Sequence, residues 1–97
     1  MKKEKVLFVI PAYNEGENIE KVLKEIKKDA DFADIIVVND GSSDNTSSIV
    51  NKMKVNCIDM VYNVGYAMAV QTGIKYAYQN DYDYVIQFDA DGQHIAK

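Results

Sequence analysis

Asp89-Ala90-Asp91 places two carboxylates at positions i and i+2. On a turn leaving a buried strand, both can face one hard divalent cation. Mg²⁺ and Mn²⁺ prefer oxygen ligands and often bind through one or two carboxylates plus a substrate phosphate. Such a cation would act as a Lewis acid and neutralise a diphosphate leaving group. Gly92 permits an unusual backbone angle here, and Gln93 and His94 follow within reach of the metal. Taken alone, the same pattern also fits an acidic turn or a helix N-cap.

Two further clusters could meet a ligand. Asp40-Gly41-Ser42-Ser43-Asp44 offers carboxylates and hydroxyls that can hydrogen-bond a base edge or ribose hydroxyls; a turn followed by a helix cap accounts for it equally well. Pro11-Ala12-Tyr13-Asn14-Glu15 can present backbone groups and an aromatic face to a base, or simply stop a strand before a helix. No GxGxxG follows the first apolar run, which disfavours a dinucleotide-binding oxidoreductase, and no GxxxxGK[ST] of a P-loop occurs. The paired aspartates lie after the fourth apolar run, unlike phosphatases whose aspartyl nucleophile follows the first.

The elements that would position these clusters are legible in the hydrophobic pattern. Val6-Leu7-Phe8-Val9-Ile10 is a continuous apolar run ended by Pro11, as in a strand buried on both faces. Residues 17–28 carry Ile19, Val22, Leu23 and Ile26 at i, i+3, i+4 and i+7, one face of a helix. Ile35-Ile36-Val37-Val38 is a second buried strand, and Asp44 or Thr46 can cap a short helix running to about Met53. A weaker third strand spans residues 55–61. After a turn at Gly65, residues 67–78 form a helix rich in small residues, with Gly73 allowing close packing. Residues 84–88 form the fourth strand. This β-α-β-α-β-α-β order predicts an α/β, Rossmann-like three-layer fold of about four parallel strands with helices on both faces. The polar clusters at 13–15, 39–44, 63–65 and 89–94 all follow strands, so they share the rim where open parallel sheets bind ligands.

Composition narrows the function classes. The net charge of −4, from 15 acidic and 11 basic residues, argues against a nucleic-acid binder, which needs a basic face. The lysines at 21–28 alternate with Glu20 and Glu25, as on a solvated helix face. The single cysteine, Cys57, cannot form an internal disulfide and reads as a buried structural thiol. The apolar run at 6–10 is too short for a signal peptide, and none approaches the roughly 20 residues of a membrane span. The chain is read as cytoplasmic, with membrane association left to the full-length protein.

In combination the motifs are far more specific. Ile10-Pro11-Ala12-Tyr13-Asn14-Glu15, Val38-Asn39-Asp40-Gly41-Ser42-Ser43-Asp44, Asn63-Val64-Gly65 and Asp89-Ala90-Asp91-Gly92-Gln93-His94, in this order and spacing, closely resemble glycosyltransferase family 2. The similarity is strongest to its polyprenyl-phosphate sugar transferase branch and covers essentially the whole chain. The resemblance implies a GT-A fold, with these residues as its nucleotide-sugar-binding N-terminal half. Pro11, Ala12, Tyr13 and Glu15 would line the base and ribose pocket. Asp40 would recognise base or ribose, with Gly41, Ser42 and Asp44 shaping that loop. Asn63, Gly65, Asp89 and Ala90 would lie near the nucleotide, and Asp89, Asp91 and Gln93 would hold Mg²⁺ or Mn²⁺ on the diphosphate. The implied reaction transfers a sugar from a UDP- or GDP-linked donor to an acceptor such as a polyprenyl phosphate, with inversion.

Two departures from the family pattern matter. Members often place a basic residue after the glycine that corresponds to Gly65; here Tyr66 follows, and no Lys or Arg occurs before Lys75. Only six residues follow Asp91, whereas the family continues into an acceptor site with an acidic general base. The expectation is therefore a donor-binding half, truncated after the paired aspartates, that names no catalytic base and does not complete the reaction alone. Its fourth strand would lie at a sheet edge, inviting self-association. A stand-alone nucleotide- or metal-binding module without transferase activity is the alternative.

Overall fold

The computed structural model describes residues 4–90. Strand β1 (Val6–Ala12) leads to helix α1 (Ile19–Asp29), β2 (Asp34–Asn39), α2 (Thr46–Lys52), β3 (Asn56–Asp59), α3 (Tyr66–Gln79) and β4 (Tyr84–Gln87). The four strands form one sheet in the order β3-β2-β1-β4, every pairing parallel. The chain thus winds outward from β1 to β3, then returns past β1 to add β4 on its other side.

Alternation along the two inner strands sorts the core into two layers. Phe8, Ile10, Ala12 and Val37 meet the buried stripe of α1, namely Ile19, Val22, Leu23 and Ile26, together with Val50 of α2. Leu7, Val9, Ile36 and Val38 face α3 through Ala69 and Ala77. The small residues of α3 let it lie close to the sheet. A Cβ on Gly73 would stand 2.3 Å from Cγ1 of Val9, a side chain with no exposed surface. The expected helical face of α1 and the role of Gly73 are both as the sequence reads. Its charges face water, with Lys24 and Glu20 paired at 3.1 Å one turn apart.

Pro11 lies inside a central strand, a placement that normally costs a ladder hydrogen bond. The Val9 carbonyl accepts from the Phe88 amide and the Ala12 carbonyl from the Asp40 amide, so alternate residues of β1 address β4 and β2. Pro11 therefore faces the β4 side, beyond the last β1–β4 pair at Val9 and Gln87. Its missing N–H falls beyond the end of the β1–β4 ladder and interrupts none of its pairs.

The third strand is shorter than the expected 55–61, because pairing with β2 ends at Asn39 and Asp59. Cys57 is half-buried rather than fully buried. Burial, aided by the nearby Asp59 carboxylate, pushes its thiol up to about 12, so it stays protonated and unreactive near neutral pH. Among the described residues, no helix is long and apolar enough to cross a membrane.

Candidate functional site

Winding direction reverses between β1 and β4, and open α/β sheets bind ligands in the crevice at such a reversal. A cleft of about 410 Å³ opens there. Its floor is small and apolar, from Pro11, Ala12, Ala69 and Ala90; its rim carries Tyr13, Glu15, Asp40, Asn63, Gly65, Tyr66 and Asp89. A second depression of about 420 Å³ lies at the opposite ends of the strands, so volume alone does not select the site. There Asp34 is engaged by the Tyr82 hydroxyl and Lys27 by the Met53 carbonyl.

Asp40 follows the last residue of β2 as a buried carboxylate, only 3% exposed. Its Oδ1 accepts from the Val64 amide at 2.8 Å and its Oδ2 from the Gly65 amide at 3.0 Å. A buried charge held this way fixes the loop between β3 and α3 against the end of β2. A carboxylate has about four acceptor positions, so Asp40 keeps capacity for a ligand. Gly41 makes the turn possible: its φ is +71°, and a Cβ would stand 2.6 Å from the Asn63 amide nitrogen.

Asn14 ties the loop after β1 to the loop after β2. It adopts φ 54°, a left-handed conformation that asparagine tolerates better than most residues. Its amide donates to Ser42 Oγ at 2.8 Å, while its Oδ1 accepts from the amides of Ser43 at 2.8 Å and Asp44 at 3.3 Å. Next to it, the Glu15 amide donates to Thr46 Oγ1 and the Gly16 amide to Asp44 Oδ2. Asp44 also accepts from the Thr46 hydroxyl and amide, at the start of α2. The Thr46 hydroxyl bond is the main cause that holds the Asp44 carboxyl below its ordinary value; slight burial opposes it, and the Gly16 and Thr46 amides reinforce it.

Of the twelve residues expected near a nucleotide, nine line one cleft: Pro11, Ala12, Tyr13, Glu15, Asp40, Asn63, Gly65, Asp89 and Ala90. Gly41, Ser42 and Asp44 do not line it; they stand behind its wall and hold the two loops together. Asp91 and Gln93, expected as metal ligands, lie outside the described residues, as does His94. Tyr66 and Ala69 line the cleft without having been expected there. The Tyr66 hydroxyl donates to Asp89 Oδ1 at 2.8 Å and accepts from Gln87 Nε2. The small-residue period of α3 could have placed Ala69 on the sheet side, but nothing in the sequence announces the reach of Tyr66 across the cleft.

The electrostatics of the cleft are one-sided. Among the described residues lining it, three are carboxylates, Glu15, Asp40 and Asp89, and none is Lys or Arg. The amino end of α3 opens onto it through Gly65 and Tyr66, supplying the partial positive charge of a helix start. Among the described residues no three metal-ligating side chains converge. Asp89 offers one hard oxygen, which suits Mg²⁺ or Mn²⁺ and would need Asp91 or ligand phosphates to complete a coordination shell.

A crevice at this reversal, on a parallel sheet with helices on both faces, is the architecture of a doubly wound, Rossmann-like α/β protein, and sequence comparison gives its family. Residues 7–97 match the model of glycosyl transferase family 2, and the chain belongs to that family. It is 42% identical over 95 residues to an uncharacterized protein of Methanocaldococcus jannaschii, covering 98% of this chain and 39% of that protein. It is 41% identical over 93 residues to the poly-beta-1,6-N-acetyl-D-glucosamine synthase of Staphylococcus aureus, covering 91% of this chain and 22% of that enzyme. The chain thus spans well under half the length of these relatives. Among solved structures, a Pyrobaculum calidifontis mannosyltransferase in complex with GDP-Man and Mn²⁺ superposes with a TM-score of 0.78 at 25% identity, over 93% of this chain and 28% of that one. The fold also matches glucosyl-3-phosphoglycerate synthase of Mycobacterium tuberculosis, with a TM-score of 0.77 at 22% identity over 90% of this chain and 33% of that one.

Proposed function

We propose that the described residues form the donor-binding half of a metal-dependent, inverting glycosyltransferase. The observation that carries this reading is a cleft at the β1/β4 reversal with three carboxylates and no basic side chain among its described lining residues. A diphosphate entering it meets like charges. Two such charges about 5 Å apart repel by on the order of 3 kcal/mol at an effective dielectric of 20. The amino end of α3 offsets part of this, and a divalent cation supplies the remaining positive charge.

In this reading Tyr13 offers its exposed ring to the base, and Glu15 and Asp40 accept from base or ribose donors. Asp89 and Asp91, with Gln93, hold Mg²⁺ or Mn²⁺. The cation, when bound, stabilises the negative charge that develops on the departing diphosphate. An acceptor oxygen forms its bond to the anomeric carbon as the bond to the diphosphate oxygen breaks, with the nucleoside diphosphate leaving from the opposite face. Support for a nucleotide-sugar donor comes from the mannosyltransferase neighbour solved with GDP-Man and Mn²⁺. Support for a polyprenyl phosphate acceptor comes from the motif resemblance alone. The general base and acceptor site belong to segments beyond those described, in keeping with the share of the longer relatives that this chain covers.

Thermal melting with UDP and with GDP, each with and without Mn²⁺, tests the reading. A ligand at about 100 times its Kd stabilises by roughly 2.7 kcal/mol, which raises the midpoint of a small domain by roughly 10 °C. A rise that needs Mn²⁺, occurs with one base and disappears in Asp89→Ala is the expected result. A metal-independent rise points instead to a binding module, and no rise with either nucleotide removes the donor-site reading.

A further inference from the structure

The first residue of α3 reaches the loop after β4. Tyr66 follows the loop glycine Gly65, and its hydroxyl donates to Asp89 Oδ1 at 2.8 Å. The same hydroxyl accepts from Gln87 Nε2, so a chain runs from the end of β4 through α3 to the loop after β4. Tyr66 and Asp89 both border the cleft.

We infer that Tyr66 is a positioning residue for the Asp89 carboxylate, and through it for cation-assisted binding of the donor diphosphate; this rests on the proposed donor site. The terminal torsion of an aspartate is broad and two-fold, so an unrestrained carboxylate samples many orientations. A phenol on Oδ1 restrains it while occupying only one of its roughly four acceptor positions. Gln87 in turn fixes the lone pair geometry of the phenol, because its amide occupies one acceptor position and turns the O–H toward Asp89.

The chemical identity of the donor matters as much as the bond. A lysine at position 66 would place an ammonium against Asp89 and cancel the charge that attracts a divalent cation. A tyrosine instead orients Asp89 without placing a cation beside it. Partners of this kind, bonded to a metal ligand rather than to the metal, typically change metal affinity 10- to 100-fold when removed.

The test measures nucleoside diphosphate binding by calorimetry across a Mn²⁺ titration, in wild type, Tyr66→Phe, Gln87→Ala and Tyr66→Lys. Tyr66→Phe keeps the ring and its packing, and is expected to raise the Mn²⁺ concentration for half-maximal binding roughly ten-fold. Gln87→Ala is expected to move it in the same direction by less. Tyr66→Lys is expected to give binding that no longer depends on Mn²⁺. If wild type binds with Mn²⁺ while Tyr66→Phe shows an unchanged Mn²⁺ midpoint, the positioning role is overturned and the donor site stands. If wild type binds no nucleoside diphosphate at any Mn²⁺ concentration, both fall.

Discussion

Asp44 shows how a residue that never touches the cleft can still govern it. Its carboxylate gathers the Gly16 amide and both donors of Thr46, locking the loop after β1 to the start of α2. Because these bonds favour the charged form, its folded pKa lies below the ordinary 3.8. Its stabilisation is therefore present in full above that value and is lost as pH falls through the lowered folded value. In Asp44→Asn, urea unfolding should show a stability deficit that is constant above pH 3.8 and closes in more acid solution. A deficit independent of pH would mean that the loop holds without the charge. Composition and spacing mark Asp40 and Asp44 only as polar residues after a strand; the family resemblance alone divides their labour, giving Asp40 to the ligand and Asp44 to the loop. Asp40 reaches the cleft while spending two acceptor positions on Val64 and Gly65, and Asp44 turns away to Gly16. Both outcomes depend on the separation of loops far apart in sequence. Tyr66 was hidden for the same reason, since its partners Gln87 and Asp89 lie beyond the whole length of α3.

At the scale of elements, α3 is the most tightly constrained piece. It presents Ala69, Gly73 and Ala77 to the sheet, and its approach is set by the fully buried Val9. Gly73→Ala improves helix propensity by roughly 1 kcal/mol but drives a methyl into Val9, and overpacking of this sort costs about 1–3 kcal/mol. Net destabilisation and a lower urea midpoint are expected, even though the change would stabilise an exposed helix. An unchanged or raised midpoint would show that α3 can shift outward, and would be accompanied by altered binding because the same helix borders the cleft. Helices with a clear apolar period were legible in the sequence to within about two residues, since one buried stripe fixes both period and face. The bounds of β3 were not, because its ends are decided by where β2 stops offering partners, a fact of pairing rather than of composition.

At the scale of the whole molecule, among the described residues the sheet has β3 and β4 as its edge strands. β4 bonds to β1 along one edge only, and Tyr84, Val85 and Ile86 are 52%, 39% and 40% exposed. An apolar edge strand of this kind is a template for pairing. We propose that the chain self-associates through it. Light scattering at high micromolar concentration should show a mass above that of the monomer, reduced by Ile86→Lys; a monomeric mass for the unaltered chain would count against the proposal. The overall α/β architecture was readable because alternating strands and helices leave few ways to cross right-handedly over a parallel sheet. The order β3-β2-β1-β4 was not, since no local pattern says on which side of β1 the last strand enters.

That late entry has a consequence in time. Lys5 and Asp83, which clasp the starts of β1 and β4 by a 2.8 Å amide-to-carboxylate bond, are 78 positions apart. A chain emerging from the ribosome at about 5–20 residues per second would carry an unzipped β1 flank for roughly 4–15 s. Until the end of that interval the wall holding Asp89 does not exist, although Tyr13, Glu15 and Asp40 precede it in the chain. The proposed donor site would therefore be complete only late, once the last strand docks beside β1.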